Sequence, residues 1–474
     1  MGTFSSEALL LIMLSTVVVI TIGGFIAVYF KKKTVSSEDW AIGGRKLPPY
    51  VIVFTQFATL VGGGVLVGHV GIGYNFGLAP IMYGICGAAG CFFMAIIAKW
   101  LRENEFTTIP DILKKIYGED NFLLVFAALM AMVVPFGWIA SQITAFGKLY
   151  SSITGIGMNI IIVAVALICV LFTLPSGFNS VAWSDFVFGV VMLGLCGITA
   201  FQAVHMGGGW TDIVSNIQDK TIISFPEGLL SAGLTTTLLW FIAATPGMMT
   251  NQMTLQRVCA ADTVKNARRT LIISGILIAA LEIWVVVMGV SIRSLNPDLT
   301  GEMAMGWFLT TIPKWTVALF AGFISTTIIT TADSALQSVA VNFTQDIYKK
   351  HINVGASDKK LMSVSRKATV IVAILAIMLA IAFPRVMDLI IASYAYSASA
   401  LLVPIYAGYA YSKRRTLTTK VGKNSMIAGL VGCFIAQMLH TRIPYAIYGI
   451  LVSYVVMIIT IKANESKKLS TGGK

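Results

Sequence analysis

The feature that most constrains this chain is a succession of thirteen apolar stretches. A helix needs about 20 residues to cross the roughly 30 Å of hydrocarbon in a bilayer, and most of the stretches reach that length. They lie at residues 8–30, 48–73, 77–98, 121–147, 158–174, 184–204, 228–248, 270–292, 315–345, 367–384, 387–411, 425–440 and 443–461. The sequence therefore predicts an all-α polytopic membrane protein with about 13 transmembrane helices.

Composition and charge support a bilayer setting. Charged residues make up 12% of the chain and hydrophobic residues 57%, whereas about 25% of residues are charged in soluble domains. With the N-terminus outside, the cytoplasmic loops hold 28 of the 34 Lys and Arg residues, as expected for cytoplasmic loops. We therefore predict a multi-pass protein of the cell membrane with a cytoplasmic C-terminus. Topology accounts for the net charge of +13, so nucleic acid is not expected as a partner.

The remaining sequence signals favour one transmembrane domain over residues 1–465 and a short cytoplasmic tail at 466–474. The N-terminal MGTFSSE has no basic residue, and lysines follow the first apolar stretch, which indicates a retained span. The six cysteines form no CxxC pair and imply neither a disulfide framework nor a metal site. No set of paired catalytic acids and no nucleophile with a base is apparent, so an enzyme is not expected.

Helix-breaking residues interrupt two of the spans. Gly62, Gly63 and Gly64 lie in the second span, and Pro246 and Gly247 lie in the seventh. Either interruption alone could be a kink or a close helix contact. Together they begin two five-helix units of opposite orientation, which is the inverted-repeat pattern of secondary transporters. The repeats are predicted at about 47–205 and 226–412, with extra spans at 8–30, 425–440 and 443–461.

A polar segment, Thr326–Ser338, occupies the ninth span, where lipid would favour aliphatic residues. At about 100° per residue, four of its hydroxyls fall within an arc of about 100°. These are the hydroxyls of Thr327, Thr330, Thr331 and Ser334. Oxygen ligands of this kind suit a small hard cation. The alternative is that they bond to their own helix or join neighbouring helices.

Five motifs occur in order along the chain and resemble the sodium:solute symporter family. That family includes bacterial proline, sialic acid, galactose and pantothenate carriers, and the nearest likeness is to its choline-transporter branch. The motifs are GGRKLPPY, ATLVGGGVLVG, NSVAWSDFVFG, LQRV and TTADSALQSVAVNFTQDIYKK, and the likeness covers most of residues 40–410.

The resemblance implies positions for the coupling ion. A first sodium site would use backbone carbonyls of Ala58, Val61 and Thr327 with the hydroxyls of Thr330 and Thr331. Some members bind a second sodium, which here would use Asp185, Thr330, Asp333 and Ser334. Asp333 departs from members that have serine there, and it could raise cation affinity or hold a proton.

Acidic residues in the spans leave further alternatives open. Asp185 could instead favour the N-terminus of the sixth span. Glu282 lies near the middle of the eighth span, where an acid is expected to have a partner. It could be a proton site, although the sequence shows no partner for it.

The resemblance also places the solute beside the two broken spans. The candidate substrate residues are His69, Trp138, Gln142, Asn251 and Tyr394. The aromatic cage of choline carriers is incomplete here, because Leu60 and Asn251 replace cage members. Gln142 and Asn251 favour a neutral or anionic polar solute.

The predicted function is sodium-coupled secondary active symport that imports a small polar organic solute by alternating access. Na⁺ would be the coupling ion, no organic cofactor is expected, and the protein would work as a monomer in the lipid bilayer. The alternatives are a proton-coupled carrier of the same fold and a sensor built on a transporter-like domain.

Overall fold

The computed structural model describes residues 6–31, 34, 36–175, 177–441 and 443–471. Within these ranges the chain is helical and forms no β-strand. Residues 1–5 and the last three residues of the predicted tail lie outside the described residues. The first half contains α1 Ser6–Lys31, α2 Ser37–Ile42, α3 Pro49–Leu60, α4 Val70–Phe76, α5 Ala79–Glu103, α6 Ile109–Tyr117, α7 Asn121–Thr154, α8 Met158–Thr173, α9 Phe178–Met206 and α10 Trp210–Asn216.

The second half is also helical. Wider π-helical segments occur at Gly64–His69 in the first half and at Phe343–Ile352 and Val403–Ala407 in the second. The second half contains α11 Leu234–Met249, α12 Gln252–Ala260, α13 Val264–Leu295, α14 Gly301–Thr311, α15 Lys314–Asn342, α16 Asp358–Ala382, α17 Val386–Leu402, α18 Gly408–Ser412, α19 Thr419–Met438 and α20 Tyr445–Thr471.

Each of the thirteen predicted stretches coincides with a helix. In the described ranges, nine helices are long and apolar enough to cross a membrane, and the bent pair α3 and α4 makes a tenth span. The other three stretches form α8, α11 and α19, which are shorter or less apolar. The prediction of an all-α polytopic membrane protein is confirmed.

The first broken span is interrupted at the glycine triplet, as the sequence predicts. Helix α3 ends at Leu60, Val61 has the non-helical angles φ −101° and ψ 87°, and the chain then resumes with a bend of 50°. Gly62 lies so close to α15 that a methyl group there would be 2.8 Å from Thr331 Oγ1. The break therefore brings irregular backbone directly against the hydroxyl stripe.

The second broken span is interrupted later than the Pro246–Gly247 pair suggests. Helix α11 continues through both residues and ends at Met249, and α12 starts at Gln252. Proline disturbs the turn that precedes it, because its ring faces the carbonyl four residues back. The new helix begins where Asn251 caps it, with Asn251 Oδ1 accepting a hydrogen bond from Met253 N at 3.0 Å.

Packing places the two broken spans in the centre of the bundle. Helix α5 packs along α13 and α11, α15 packs against α1, α7 and α9, and α17 packs against α7 and α11. Helix α3 contacts α9, α13 and α15. The first interruption is therefore enclosed by spans from both predicted repeats.

Candidate functional site

The hydroxyl stripe of α15 faces the end of α3. Thr331 Oγ1 donates to Ala58 O at 3.2 Å and lies 3.1 Å from Thr327 O. Thr330 Oγ1 donates to Thr327 O at 3.1 Å. These residues are fully buried. The last carbonyls of a helix lack intrahelical partners, so the end of α3 offers backbone oxygen to this cluster.

Four of the five residues predicted for the first sodium site thus meet at one place, and Val61 lies at the break beside them. The cluster combines backbone and hydroxyl oxygens from two helices, which are ligands that suit a small hard cation. Both hydroxyls also bond to the carbonyl of Thr327 in their own helix. The geometry is therefore compatible with an ion site and with a contact that joins α15 to α3.

An arginine contacts two of the four residues predicted for the second sodium site, Asp185 and Ser334. Arg257 of α12 is buried, and its guanidinium lies 5.4 Å from the centroid of the Phe178 ring. The guanidinium donates hydrogen bonds to Thr55 Oγ1 (3.2 Å), Met253 O (3.0 Å), Asp185 Oδ2 (3.2 Å), Ser334 Oγ (2.8 Å) and Thr59 Oγ1. Ser334 Oγ also donates to Asp185 Oδ2 at 3.2 Å, so a positive charge of the protein itself contacts two of the predicted ligands, which also contact each other.

Sequence reasoning did not identify Arg257 as part of a site, because it was counted among the basic residues of a cytoplasmic loop. The structure corrects that placement, since Arg257 lies in a helix and contacts α3, α9 and α15. The sequence signal that could have identified Arg257 was its position shortly after the second broken span.

Asp333 is also buried, and its Oδ1 has no hydrogen-bond partner among the described residues.

A small cavity of about 40 Å³ adjoins the first break. Its walls come from the first broken span and from α5, α7, α11, α13 and α17. It is lined by Leu60, Val61, Gly62, Gly64, Val65, His69, Tyr83, Gly87, Trp138, Gln142, Ala244, Met248, Ile278, Leu281, Glu282, Ile390 and Tyr394. Four of the five predicted substrate residues are in this set. Asn251 is outside it and caps α12.

The backbone of the first break connects the cavity with the hydroxyl stripe. Gln142 Oε1 accepts a hydrogen bond from Gly63 N. A methyl group at the adjacent Gly62 would overlap Gln142 Oε1 and would lie 2.8 Å from Thr331 Oγ1. One short stretch of irregular backbone therefore touches both a cavity residue and a candidate sodium ligand.

One end of the cavity carries a buried acid–base pair. Glu282 Oε1 lies 2.6 Å from His69 Nδ1, and both side chains are almost fully buried. Helix α5 makes room for the carboxylate at Gly84, because a methyl group there would lie 2.4 Å from Glu282 Cγ. Sequence reasoning found no partner for Glu282, and His69 is that partner.

Aromatic rings surround the same cavity. Trp138 and Tyr394 meet edge to face with centroids 5.9 Å apart, and the His69 and Tyr83 rings are 4.4 Å apart. These rings and the aliphatic side chains leave few polar groups in the lining. Glu282, His69 and Gln142 supply most of the polarity there.

Several known transporters are similar to this chain. A high-affinity choline transporter of Caenorhabditis elegans is 28% identical over 75% of this chain and 64% of the transporter. The sodium/proline symporter of Escherichia coli is 26% identical over 79% of this chain and 77% of the symporter. A Na⁺-coupled sialic acid symporter, solved in a substrate-bound outward-open state, has the same fold with a TM-score of 0.81. It is 18% identical in sequence, and the superposition covers 95% of this chain and 97% of that one.

The profile of the sodium:solute symporter family matches residues 40–418. This range includes both broken spans, the hydroxyl stripe and the cavity. The five-plus-five helical fold with interrupted spans is thereby confirmed, and the relatives of the chain are membrane transporters. This protein belongs to the sodium:solute symporter family.

Proposed function

We propose that this protein imports a small organic solute together with sodium by alternating access. The observation that carries the proposal is the first break, whose backbone contacts the hydroxyl stripe on one side and the cavity on the other. Sodium bound by Ala58, Val61, Thr327, Thr330 and Thr331 would hold the break in one conformation. Because Gln142 bonds to the same backbone, an ordered break would favour solute binding, and this is the coupling that symport requires.

We further propose that a single sodium ion is coupled. A second ion would need Asp185 and Ser334 as ligands, and the guanidinium of Arg257 already donates hydrogen bonds to both. The protein itself therefore provides a positive charge there. One sodium moving down a potential of 100 mV supplies about 2.3 kcal/mol before its concentration gradient is added. The cavity and the ion cluster are built from one chain, which supports function as a monomer.

Sodium binding can be tested before the solute is known, because a ligand stabilises the state to which it binds. We expect NaCl to raise the melting temperature of the purified protein in a saturable way, with a Hill coefficient near one. KCl at the same ionic strength is the control and should have little effect. An equal response to the two salts would contradict a sodium site, and a Hill coefficient near two would contradict a single ion.

The buried His69–Glu282 pair favours a second candidate, a proton-coupled carrier of the same fold. Such a carrier would respond to pH instead of sodium. Once the solute is identified, full uptake in sodium-free buffer under a proton gradient would support this alternative and exclude sodium symport.

The proposed orientation places the N-terminus outside and the C-terminus in the cytoplasm. Accessibility labelling of single cysteines in a cysteine-free variant should place Lys359, between α15 and α16, on the cytoplasmic side and Lys220 on the external side. The physical reason is the concentration of Lys and Arg in the loops assigned to the cytoplasm. Labelling of both positions from the same side would contradict the thirteen-span topology.

A further inference from the structure

The cavity contains a carboxylate oxygen that nothing in the described part of the chain satisfies. Glu282 Oε1 is bonded to His69, whereas Oε2 is buried and has no hydrogen-bond partner there. Leaving a buried charged acceptor unpaired is costly, and intramembrane acids are expected to have partners. Glu282 lines the solute cavity, so a bound solute can supply the missing donor.

The charges around the cavity favour a positive solute. Glu282 is its acidic lining residue and His69 its basic one, and no lysine or arginine is among the residues that line it. With Glu282 ionised, the pair carries one negative charge beside a neutral imidazole and no net charge beside an imidazolium, and a protonated carboxyl beside a neutral imidazole carries none. In none of these states does the lining offer a positive charge that is free to bind a carboxylate, because any imidazolium is already paired with Glu282.

The walls of the cavity suit the same class of solute. The faces of Trp138, Tyr83 and Tyr394 can attract a cation, and an ammonium near them gains a further interaction. The aliphatic lining, which includes Val65, Ile278 and Ile390, suits an apolar body. An alcohol could donate to Glu282 Oε2 but would not balance its charge. A quaternary ammonium would balance the charge but has no N–H to donate.

We propose that the transported solute is a small protonated amine with at least one N–H, which Glu282 of the His69–Glu282 pair binds. This proposal rests on the proposed function, because it assigns the solute of the same cavity. It departs from the neutral or anionic solute that Gln142 and Asn251 suggested in the sequence. The departure follows from the structure, which brings Glu282 to the cavity and places Asn251 outside it.

Matched compounds can test the proposal by thermal shift of purified protein in sodium. The probes are propylamine, isobutylamine and 2-phenylethylamine. Each primary amine is compared with the corresponding alcohol, N-trimethyl derivative and carboxylate. We expect at least one N–H amine to stabilise the protein, and its counterparts to bind at least tenfold more weakly. Equal or tighter binding of the counterparts would overturn the proposal.

The variant Glu282→Gln keeps the shape of the side chain and removes its charge. We expect it to weaken amine binding at least tenfold while sodium stabilisation persists. Glu302→Gln, at the exposed acid that pairs with Lys148, is the matched control and should bind the amine normally. The comparison of amines with alcohols uses the unaltered protein, so it remains decisive if Glu282→Gln fails to fold.

Every experiment includes a titration with sodium in the absence of amine. The proposal of sodium coupling and the proposal of an amine solute can therefore fail independently. If sodium stabilises the protein and no amine does, the amine assignment is wrong and the sodium site stands. If an amine binds and sodium has no effect, the sodium coupling is wrong and the amine assignment stands. Unchanged amine binding in a folded Glu282→Gln variant would overturn the role of Glu282.

Discussion

Thr331→Ala should raise the sodium concentration that gives half-maximal stabilisation by about tenfold or more. A hydrogen-bond-strength contact to a charged group is worth about 1.5 to 3 kcal/mol, and about 1.4 kcal/mol corresponds to a factor of ten in affinity. Thr331→Ser keeps the oxygen and should leave the sodium dependence nearly unchanged. The measurement is a sodium titration of the melting temperature of each purified variant.

Thr369→Ala is the matched control for this series. Thr369 is also a buried threonine, and its hydroxyl donates to Ser365 O at 2.9 Å within its own helix. The control variant measures what the loss of a buried, helix-bonded hydroxyl does to stability, and its sodium dependence should be normal. If Thr331→Ala folds and binds sodium as the unaltered protein does, the stripe only joins α15 to α3.

The spans were the most predictable part of the fold. Hydrocarbon thickness fixes the length of an apolar helix, so thirteen helices could be located from hydropathy alone. The position of the first interruption was equally predictable, because three consecutive glycines destabilise a helix. The second was placed about one turn too early, because proline weakens a helix without deciding where the next one begins. The capping by Asn251 decided that, and Asn251 had been interpreted as a substrate residue.

Contacts between distant spans were the least predictable part of the site. The periodicity of α15 indicated which hydroxyls share a face, but it could not show that Arg257 approaches that face from α12. Glu282 presented the same difficulty, since its partner His69 is 213 residues away in sequence. The charge balance of a buried cluster depends on such distant partners, so the sequence could list oxygen ligands without showing which were already occupied.

The other large expected effect is a loss of stability when the buried ion pair of Arg257 and Asp185 is broken. Arg257→Met should lower the free energy of unfolding by about 3 to 5 kcal/mol, because it leaves the Asp185 carboxylate buried without its partner. Asp185→Asn should also be destabilising, since it removes the charge that the guanidinium faces. The double variant should be much more stable than the sum of the two losses predicts, with a coupling of about 1 to 3 kcal/mol. Denaturant unfolding in mixed micelles would measure all four proteins.

Arg366→Met is the control for the ion pair, because Arg366 donates to Leu174 O at 3.0 Å and, within the described part of the chain, shares no hydrogen-bond partner with Asp185. Its effect should add to that of Asp185→Asn. Sodium provides a second measurement on the Arg257→Met variant. If the guanidinium replaces a second ion, removing it exposes Asp185 and Ser334 to sodium, and the Hill coefficient for stabilisation should rise from about one toward two. Additive losses in the Arg257 and Asp185 cycle, together with an unchanged Hill coefficient, would mean that Arg257 is not the resident cation of this cluster.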